Sequence, residues 1–239
     1  MSPEVLLKGT FLALEQCGLL LRDANILYQN GSYASTIVLA AFAHEELGRH
    51  RMLLDFWRRA RSGKGTFTAV QIKKACDDHV TKQREGMSGT TITSSGIREL
   101  SQAMSSNHPS SSEFQDAKEN LDTRIKSKQK RTPDDRHAQR ESALYVEPVS
   151  ETEWNRPADK SATVAWEFLR EAVGAYALQY HKGFVAPTGA ILKVTDPELY
   201  SALEQWPDRP TLYPASKLID DTLPIPESNN AHDEQNGRP

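Results

Sequence analysis

Two adjacent carboxylates, Glu45 and Glu46, stand in a polar cluster that covers residues 44–51 and reads HEELGRHR. An alanine-rich apolar stretch precedes this cluster and predicts a buried helix face that ends there. Adjacent helical side chains point about 100° apart, so we expect only one carboxylate to reach inside. Gly48 removes a side chain from the helix at a cost in helix propensity, which predicts close packing by another segment. The alternative is a solvated helix end, because glutamates are mostly exposed.

A second polar pair, His79 and Lys82, lies further along the chain, in the sequence DDHVTK. Residues three apart share one face of a helix. Alone, such a pair is typical of a protein surface. Beside a helix that carries Glu45 and Glu46, it would complete a cluster in which the imidazole is the natural acid or base near neutral pH. The lysine or an arginine would then bind a phosphate.

A metal site is not favoured by the spacing of possible ligands. Di-metal carboxylate bundles use Glu-x-x-His on two helices, whereas His50 follows Glu46 by four residues and no second such motif occurs. His44 and His50 are six residues apart, which does not place both on one helix face. We therefore expect no metal and no cofactor.

A basic run covers residues 124–140, with seven basic and two acidic side chains and hence a local charge of +5. One interpretation is a solvated linker. The other is contact with an RNA backbone, for which the candidates are Lys128, Lys130, Arg131 and Arg136. Few aromatic residues interrupt the run, so stacking of bases is not indicated.

Helices must position these residues. Ser2-Pro3-Glu4 predicts a helix start, and apolar residues recur at three- and four-residue steps up to Tyr28. A turn at Asn30-Gly31 and a second helix to about Arg61 predict a long antiparallel αα-hairpin.

Further helices follow this hairpin. Thr68 and Gln71 form a capping box for a third helix, which we expect to end near Gly86. Ser161 starts a strong helix, and a short one is expected from Asp196 to Trp206 with Thr195 as its cap. Weaker helical patterns cover residues 97–104 and 113–130. Because no useful strand alternation occurs, the fold class is all-α.

Composition bounds the remaining expectations. The 239 residues suit one domain with an appendage, and the net charge of −3 means that the whole chain is not a polycation. We expect a helical bundle over residues 1–186 with an inserted loop and basic region at 87–140. Residues 187–239 form a C-terminal extension, poorly ordered from about residue 226 because little apolar area can be buried there. Two distant cysteines, no secretory signal pattern and no apolar run of about 18 residues lead us to expect a cytoplasmic protein with no membrane contact.

Five blocks together resemble the AbiV branch of the HEPN superfamily, the abortive infection proteins of bacterial phage defence. They occur in the order expected, between Arg22 and Glu147. The blocks are residues 22–24, RDA; residues 32–35, SYAS; residues 44–49, HEELGR; residues 79–82, HVTK; and residues 140–146, RESALYV. The family often has EELGK at the third block.

The resemblance implies a HEPN-like bundle that forms a homodimer. It also implies that the protein halts the infected cell by acting on RNA or the translation machinery, once a phage-encoded activator has triggered it. Many HEPN proteins are metal-independent ribonucleases with Arg, four to six residues, then His. Arg131 and His137 fit this spacing, with five residues between them. The alternative catalytic set is Glu45, Glu46, His79, Lys82 and Arg140.

Two functional hypotheses remain open, besides an inert helical scaffold. One is a toxin that cleaves RNA; the other is a translation inhibitor that binds RNA or the ribosome without catalysis.

Overall fold

The computed structural model describes residues 1–87, 134–180, 196–206 and 209–221. These residues are predominantly helical, so the all-α prediction is confirmed. The helices are α1, Pro3–Gln29; α2, Tyr33–Arg61; α3, Ala69–Ala75; α4, His79–Met87; α5, residues 134–144; α6, Ala162–Gln179; α7, Pro197–Glu204; and α8, Ala215–Asp221. The weak helical patterns at 97–104 and 113–130, residues Lys128, Lys130 and Arg131, and the tail from 226 lie outside the described residues.

The long hairpin of α1 and α2 is the centre of the fold. The Ser2 hydroxyl accepts a hydrogen bond from the Val5 amide at 3.4 Å, which caps the first helix as expected. Gly31 adopts a φ of +75° in the turn between the two helices, a conformation that glycine takes without steric cost. A side chain at Gly18 would put its Cβ 2.7 Å from the Tyr176 hydroxyl, so α6 packs very closely on α1.

The third predicted helix is in fact two helices, so the expectation of one helix from Thr68 to near Gly86 was wrong. The capping box of Thr68 and Gln71 is present, but α3 ends at Ala75. Asp78 starts α4, because its carboxylate accepts from the Val80 amide at 3.0 Å and from the Thr81 hydroxyl at 2.6 Å. An aspartate that binds the second helical amide acts as an N-cap and competes with a continuous helix.

A small hairpin follows α5 and holds its C-terminal end. Strands β1, Glu147–Pro148, and β2, Trp154–Asn155, pair antiparallel, with Glu147 opposite Asn155. The Asn155 side-chain amide donates to the Ser142 carbonyl at 2.6 Å and to the Tyr145 carbonyl at 3.0 Å. These bonds satisfy carbonyl groups that the end of a helix leaves unpaired.

The C-terminal extension contributes to the same hydrophobic core as the hairpin. The cap of α7 is Asp196, whose carboxylate accepts from the Leu199 amide at 3.0 Å, whereas the predicted cap Thr195 lies outside the described residues. Helix α8 was not anticipated from the proline-rich sequence around it. Five apolar residues from α7, α8 and their connection are buried: Leu199, Leu203, Leu212, Ala215 and Leu218. Within the described ranges, no helix is long and apolar enough to cross a membrane.

Candidate functional site

Glu45 is the centre of a buried polar site between α2, α4 and α5. Its side chain is 4% exposed. Oxygen Oε1 accepts from Arg140 Nη1 at 2.9 Å and from Gln83 Nε2 at 3.2 Å. Oxygen Oε2 lies 2.6 Å from His79 Nδ1 and 3.4 Å from Lys82 Nζ. A single carboxylate therefore binds donors from two other helices, which compensates for the cost of burying its charge.

Two glycines allow α4 to lie against α2 at this point. A Cβ built on Gly48 would come 1.8 Å from the Lys82 carbonyl oxygen, and one on Gly86 would come 2.2 Å from the His44 carbonyl oxygen. Backbone groups cannot move away from such overlaps as flexible side chains can. The close packing predicted at Gly48 is thus present, and it brings His79 and Lys82 to Glu45.

Arg140 links the carboxylate to α5. While its Nη1 binds Glu45, its Nη2 donates to Glu141 Oε1 at 2.6 Å and lies 3.3 Å from His137 Nδ1. The guanidinium also lies over the Phe42 ring, 5.5 Å from its centroid, as in a cation–π contact. These contacts engage both terminal nitrogens and one face of the planar guanidinium, so Arg140 is held in one orientation.

Burial divides the site into an inner and an outer part. The side chains of Arg140 and Lys82 are only 6% and 5% exposed. In contrast, the His79 side chain is 48% exposed, and His137 is partly exposed. The positive charges of Arg140 and Lys82 are matched by the carboxylates of Glu45 and Glu141. A molecule that approaches from solvent therefore meets the two imidazoles first.

Glu46 lies apart from this network, so only one of the two adjacent carboxylates joins it, as the helix geometry predicts. Glu46 pairs with Arg49 at 3.0 Å on its own helix. Partial burial raises the pKa of the Glu46 carboxyl above its usual value, and the charge of Arg49 opposes this shift. The catalytic role that we expected for either glutamate stays a prediction.

The basic run is split by the structure. Arg136 is buried, with its guanidinium paired to Glu171 and lying 4.9 Å from the Phe168 ring centroid. Its burial lowers the pKa of the guanidinium, although Glu171 raises it again. This side chain therefore packs on α6, and its expected contact with RNA stays a prediction. Lys128, Lys130 and Arg131 lie outside the described part of the chain, and the expected Arg131–His137 motif stays a prediction.

Two further histidines of the polar cluster, His44 and His50, are buried in the bundle. Burial lowers the pKa of His44 well below its usual value, and Arg136 and Arg51 lower it further. Neither ring nitrogen of His44 has a hydrogen-bond partner among the described residues. His50 Nδ1 lies 3.0 Å from the Thr10 carbonyl oxygen. Both imidazoles are therefore uncharged near neutral pH and belong to the interior.

Three residues of the site were not predicted from the sequence. Gln83 follows His79 by four residues, so the shared helix face was a usable signal. Glu141 directly follows Arg140, and Phe42 precedes the polar cluster, but nothing in their spacing indicated contact with the guanidinium. Among the residues that the structure describes, no group of three His, Cys, Asp or Glu side chains is placed to hold a metal ion.

The fold and the site define an all-α helical-bundle protein in which a long helix pair carries a buried polar cluster. The family model HEPN_AbiV, described as AbiV, matches residues 5–176, well over half of the chain. The chain therefore belongs to the AbiV family of HEPN proteins, which associates it with abortive infection. No curated protein and no solved structure matches it.

Proposed function

We propose that the protein is a metal-independent endoribonuclease that acts at the Glu45–His79–Arg140 site and stops translation during abortive infection. The observation that carries this proposal is the 2.6 Å contact between Glu45 Oε2 and His79 Nδ1. A carboxylate bound to one ring nitrogen orients the imidazole and stabilises its protonated form. The other nitrogen, Nε2, is then available to a substrate, because nearly half of the side chain is exposed.

The proposed reaction is an intramolecular transesterification of RNA. His79 Nε2 takes the proton of a ribose 2′-hydroxyl, and the resulting oxygen forms a bond to the adjacent phosphorus. The bond between phosphorus and the 5′-oxygen breaks, and this oxygen takes a proton from water. The products are a 2′,3′-cyclic phosphate and a 5′-hydroxyl, and His79 returns its proton to solvent. No oxidant or further reactant is needed.

The buried cations support this chemistry indirectly. Arg140 and Lys82 neutralise Glu45 at 2.9 and 3.4 Å, which holds the carboxylate in place behind His79. When the imidazole takes up a proton, Glu45 is the adjacent negative charge that stabilises it. Because the Glu45 carboxylate is buried, its attraction to the protonated imidazole is screened less than it would be in water.

Cleavage is tested with the purified protein and a short RNA in the presence of EDTA. We expect products with a cyclic phosphate end, and no cleavage where a single 2′-deoxy nucleotide replaces the reacting ribose. His79→Ala should slow cleavage by roughly 100- to 10,000-fold, the usual contribution of a general base, whereas Glu46→Gln, which alters a carboxylate outside the network, should retain it. If the same preparation stops translation but leaves the RNA intact, the ribonuclease proposal is overturned.

A second candidate is a translation inhibitor that binds RNA or the ribosome without cleaving RNA. The burial of Arg140 and Lys82 favours it, since neither cation reaches solvent to stabilise the charged phosphate of a transition state. The two candidates differ in cells that express the protein. Stalled protein synthesis with intact RNA, unaffected by His79→Ala, supports binding; fragmentation of RNA that is lost with His79→Ala supports cleavage.

A further inference from the structure

The two outward imidazoles of the site, His79 and His137, lie side by side. Their ring centroids are 6.5 Å apart and their planes differ by 22°. Arg140 contacts both rings, with Nη1 3.4 Å from His79 Nδ1 and Nη2 3.3 Å from His137 Nδ1. A guanidinium can only donate hydrogen bonds and a carboxylate can only accept them. The contact of Arg140 with His137 and the contact of Glu45 with His79 therefore determine where each neutral ring carries its proton.

His79 carries its proton on Nδ1. This nitrogen has a carboxylate oxygen at 2.6 Å, which only accepts, and a guanidinium nitrogen at 3.4 Å, which only donates. Both cannot be hydrogen bonds to the same neutral nitrogen. The 2.6 Å contact with the carboxylate is the hydrogen bond, because it is the shorter one and because Arg140 Nη1 already donates to Glu45 at 2.9 Å. His79 Nε2 therefore presents a lone pair.

His137 has the opposite tautomer. Its Nδ1 faces Arg140 Nη2 at 3.3 Å, and no carboxylate contacts this nitrogen among the described residues. Since the guanidinium has no lone pair to offer, His137 Nδ1 accepts a hydrogen bond. The single proton of the neutral ring is then on Nε2, so this nitrogen is a donor.

We propose that His79 and His137 form a complementary acceptor–donor pair: His79 Nε2 accepts the proton of the 2′-hydroxyl, and His137 Nε2–H donates a hydrogen bond to a non-bridging oxygen of the same phosphate. This inference rests on the proposed ribonuclease function. The 2′-hydroxyl and its adjacent phosphate lie within one nucleotide. Two hydrogen bonds of about 2.8 Å can therefore connect them to neighbouring rings.

His137 thereby donates a hydrogen bond to the charged phosphate, as an exposed arginine would in another site. Negative charge increases on the non-bridging oxygens as the fifth bond to phosphorus forms, and a fixed donor stabilises charge at that position. A neutral imidazole can act in this way without losing its proton. Arg140 does not touch the substrate; it is a positioning residue that determines the tautomer of His137, whereas Glu45 determines that of His79.

The experiment uses RNA in which sulfur replaces one of the two non-bridging oxygens at the cleaved phosphate, as separate diastereomers. Sulfur is a weak hydrogen-bond acceptor. The full-length wild-type chain should cleave one diastereomer roughly 10- to 100-fold more slowly than the other, the range for a hydrogen bond to a charged group. In His137→Ala this difference should disappear. In His137→Gln, whose amide N–H extends to a similar position, part of it should return.

His79→Ala is the matched comparison. Its residual cleavage should be much slower but should keep the difference between diastereomers, because the donor remains. A difference that persists in His137→Ala, or is absent from a wild type that cleaves ordinary RNA, overturns the assignment of His137. A wild type that does not cleave ordinary RNA overturns the proposed function instead.

The tautomers have an independent readout that does not need cleavage. In ¹⁵N NMR spectra of the free protein at pH above 7.5, His137 Nε2 should appear as a protonated nitrogen and His79 Nε2 as an unprotonated one. Substitution of Arg140 by Lys should remove this distinction at His137. The reverse pattern in the wild type would overturn the acceptor–donor pair.

Discussion

Gly48 on α2 lies directly beneath the Lys82 carbonyl of α4, so that a Cβ on Gly48 would be only 1.8 Å from that oxygen. A second contact of the same kind, between Gly86 and the His44 carbonyl, lies nearby on the same pair of helices. The site therefore depends on two backbones in contact. His79 and Lys82 reach Glu45 only because neither helix has a side chain at these crossing points.

Gly48→Ala should disrupt this crossing. An added methyl group cannot fit against a backbone carbonyl, so we expect a loss of at least about 3 kcal/mol in free energy of unfolding, the upper part of the usual range for overpacking. The proposed RNA cleavage should be lost as well. Gly174→Ala is the control, since its added Cβ would meet no described atom within 4 Å outside the neighbouring turns of its own helix; it should stabilise α6 by about 0.5–1 kcal/mol. Urea denaturation distinguishes the two, and equal stability of both variants would contradict the crossing.

Glu45→Gln should be far more damaging than Glu46→Gln. The first change leaves two buried cations, Arg140 and Lys82, without their common carboxylate, at a cost of about 3–5 kcal/mol. The second removes a partly exposed pair with Arg49, which contributes about 1 kcal/mol or less. Thermal unfolding of the two purified variants tests this order. A similar melting temperature for both would show that the Glu45 network does not hold α4 and α5 in place.

Asp78→Ala should affect both stability and activity. The change removes the N-cap of α4, at a cost of about 1 kcal/mol, and frees the segment that presents His79. Thr68→Ala removes another N-cap, that of α3, at a comparable cost. Because the Thr68 cap lies away from the Glu45 network, only Asp78→Ala should also reduce the proposed RNA cleavage. The two variants are compared under conditions in which the same fraction of each is folded. Equal cleavage by both would argue against a role of the Asp78 cap in positioning His79.

Stability should decrease at acidic pH because of His50. Desolvation lowers its pKa to about 4, partly opposed by the hydrogen bond to Thr10 and reinforced by Arg51 and Arg58. The unfolded chain binds a proton below about pH 6.5, whereas the folded chain resists this until about pH 4. The contribution of the neutral His50 to the free energy of unfolding is therefore complete above about pH 6.5 and is lost as the pH falls towards about 4. The loss is roughly 3 kcal/mol, at ~1.4 kcal/mol per pH unit.

Urea denaturation between pH 7.5 and 4.5 checks the expected decrease. The comparison is His50→Gln, which keeps a polar side chain but does not titrate. The variant should be less stable than the wild type at pH 7.5, and its stability should fall less steeply with acid. Parallel pH profiles would show that another group, such as the buried His44, causes the decrease.

Local patterns were sufficient for the elements that depend on neighbouring residues. The apolar steps of α1 and α2, the turn at Gly31 and the capping box at Thr68 are all short-range signals, and each is present. The same reasoning missed the break before His79, because the helical apolar pattern continued through it while Asp78 could bind amides of its own segment. It also missed α8, whose order depends on burying Ala215 and Leu218 against the core.

The sequence by itself determined the helical class, the long hairpin and the types of residue that could do chemistry. It also predicted that one of two adjacent glutamates turns inward, because helix geometry separates their directions. Only the tertiary structure decided which one: Glu45, which meets Arg140 from a helix 95 residues away in the chain. It also decided that Arg136 packs inside while His137 faces outward. Such choices depend on the packing of distant segments, which determines which charges find partners when water is removed.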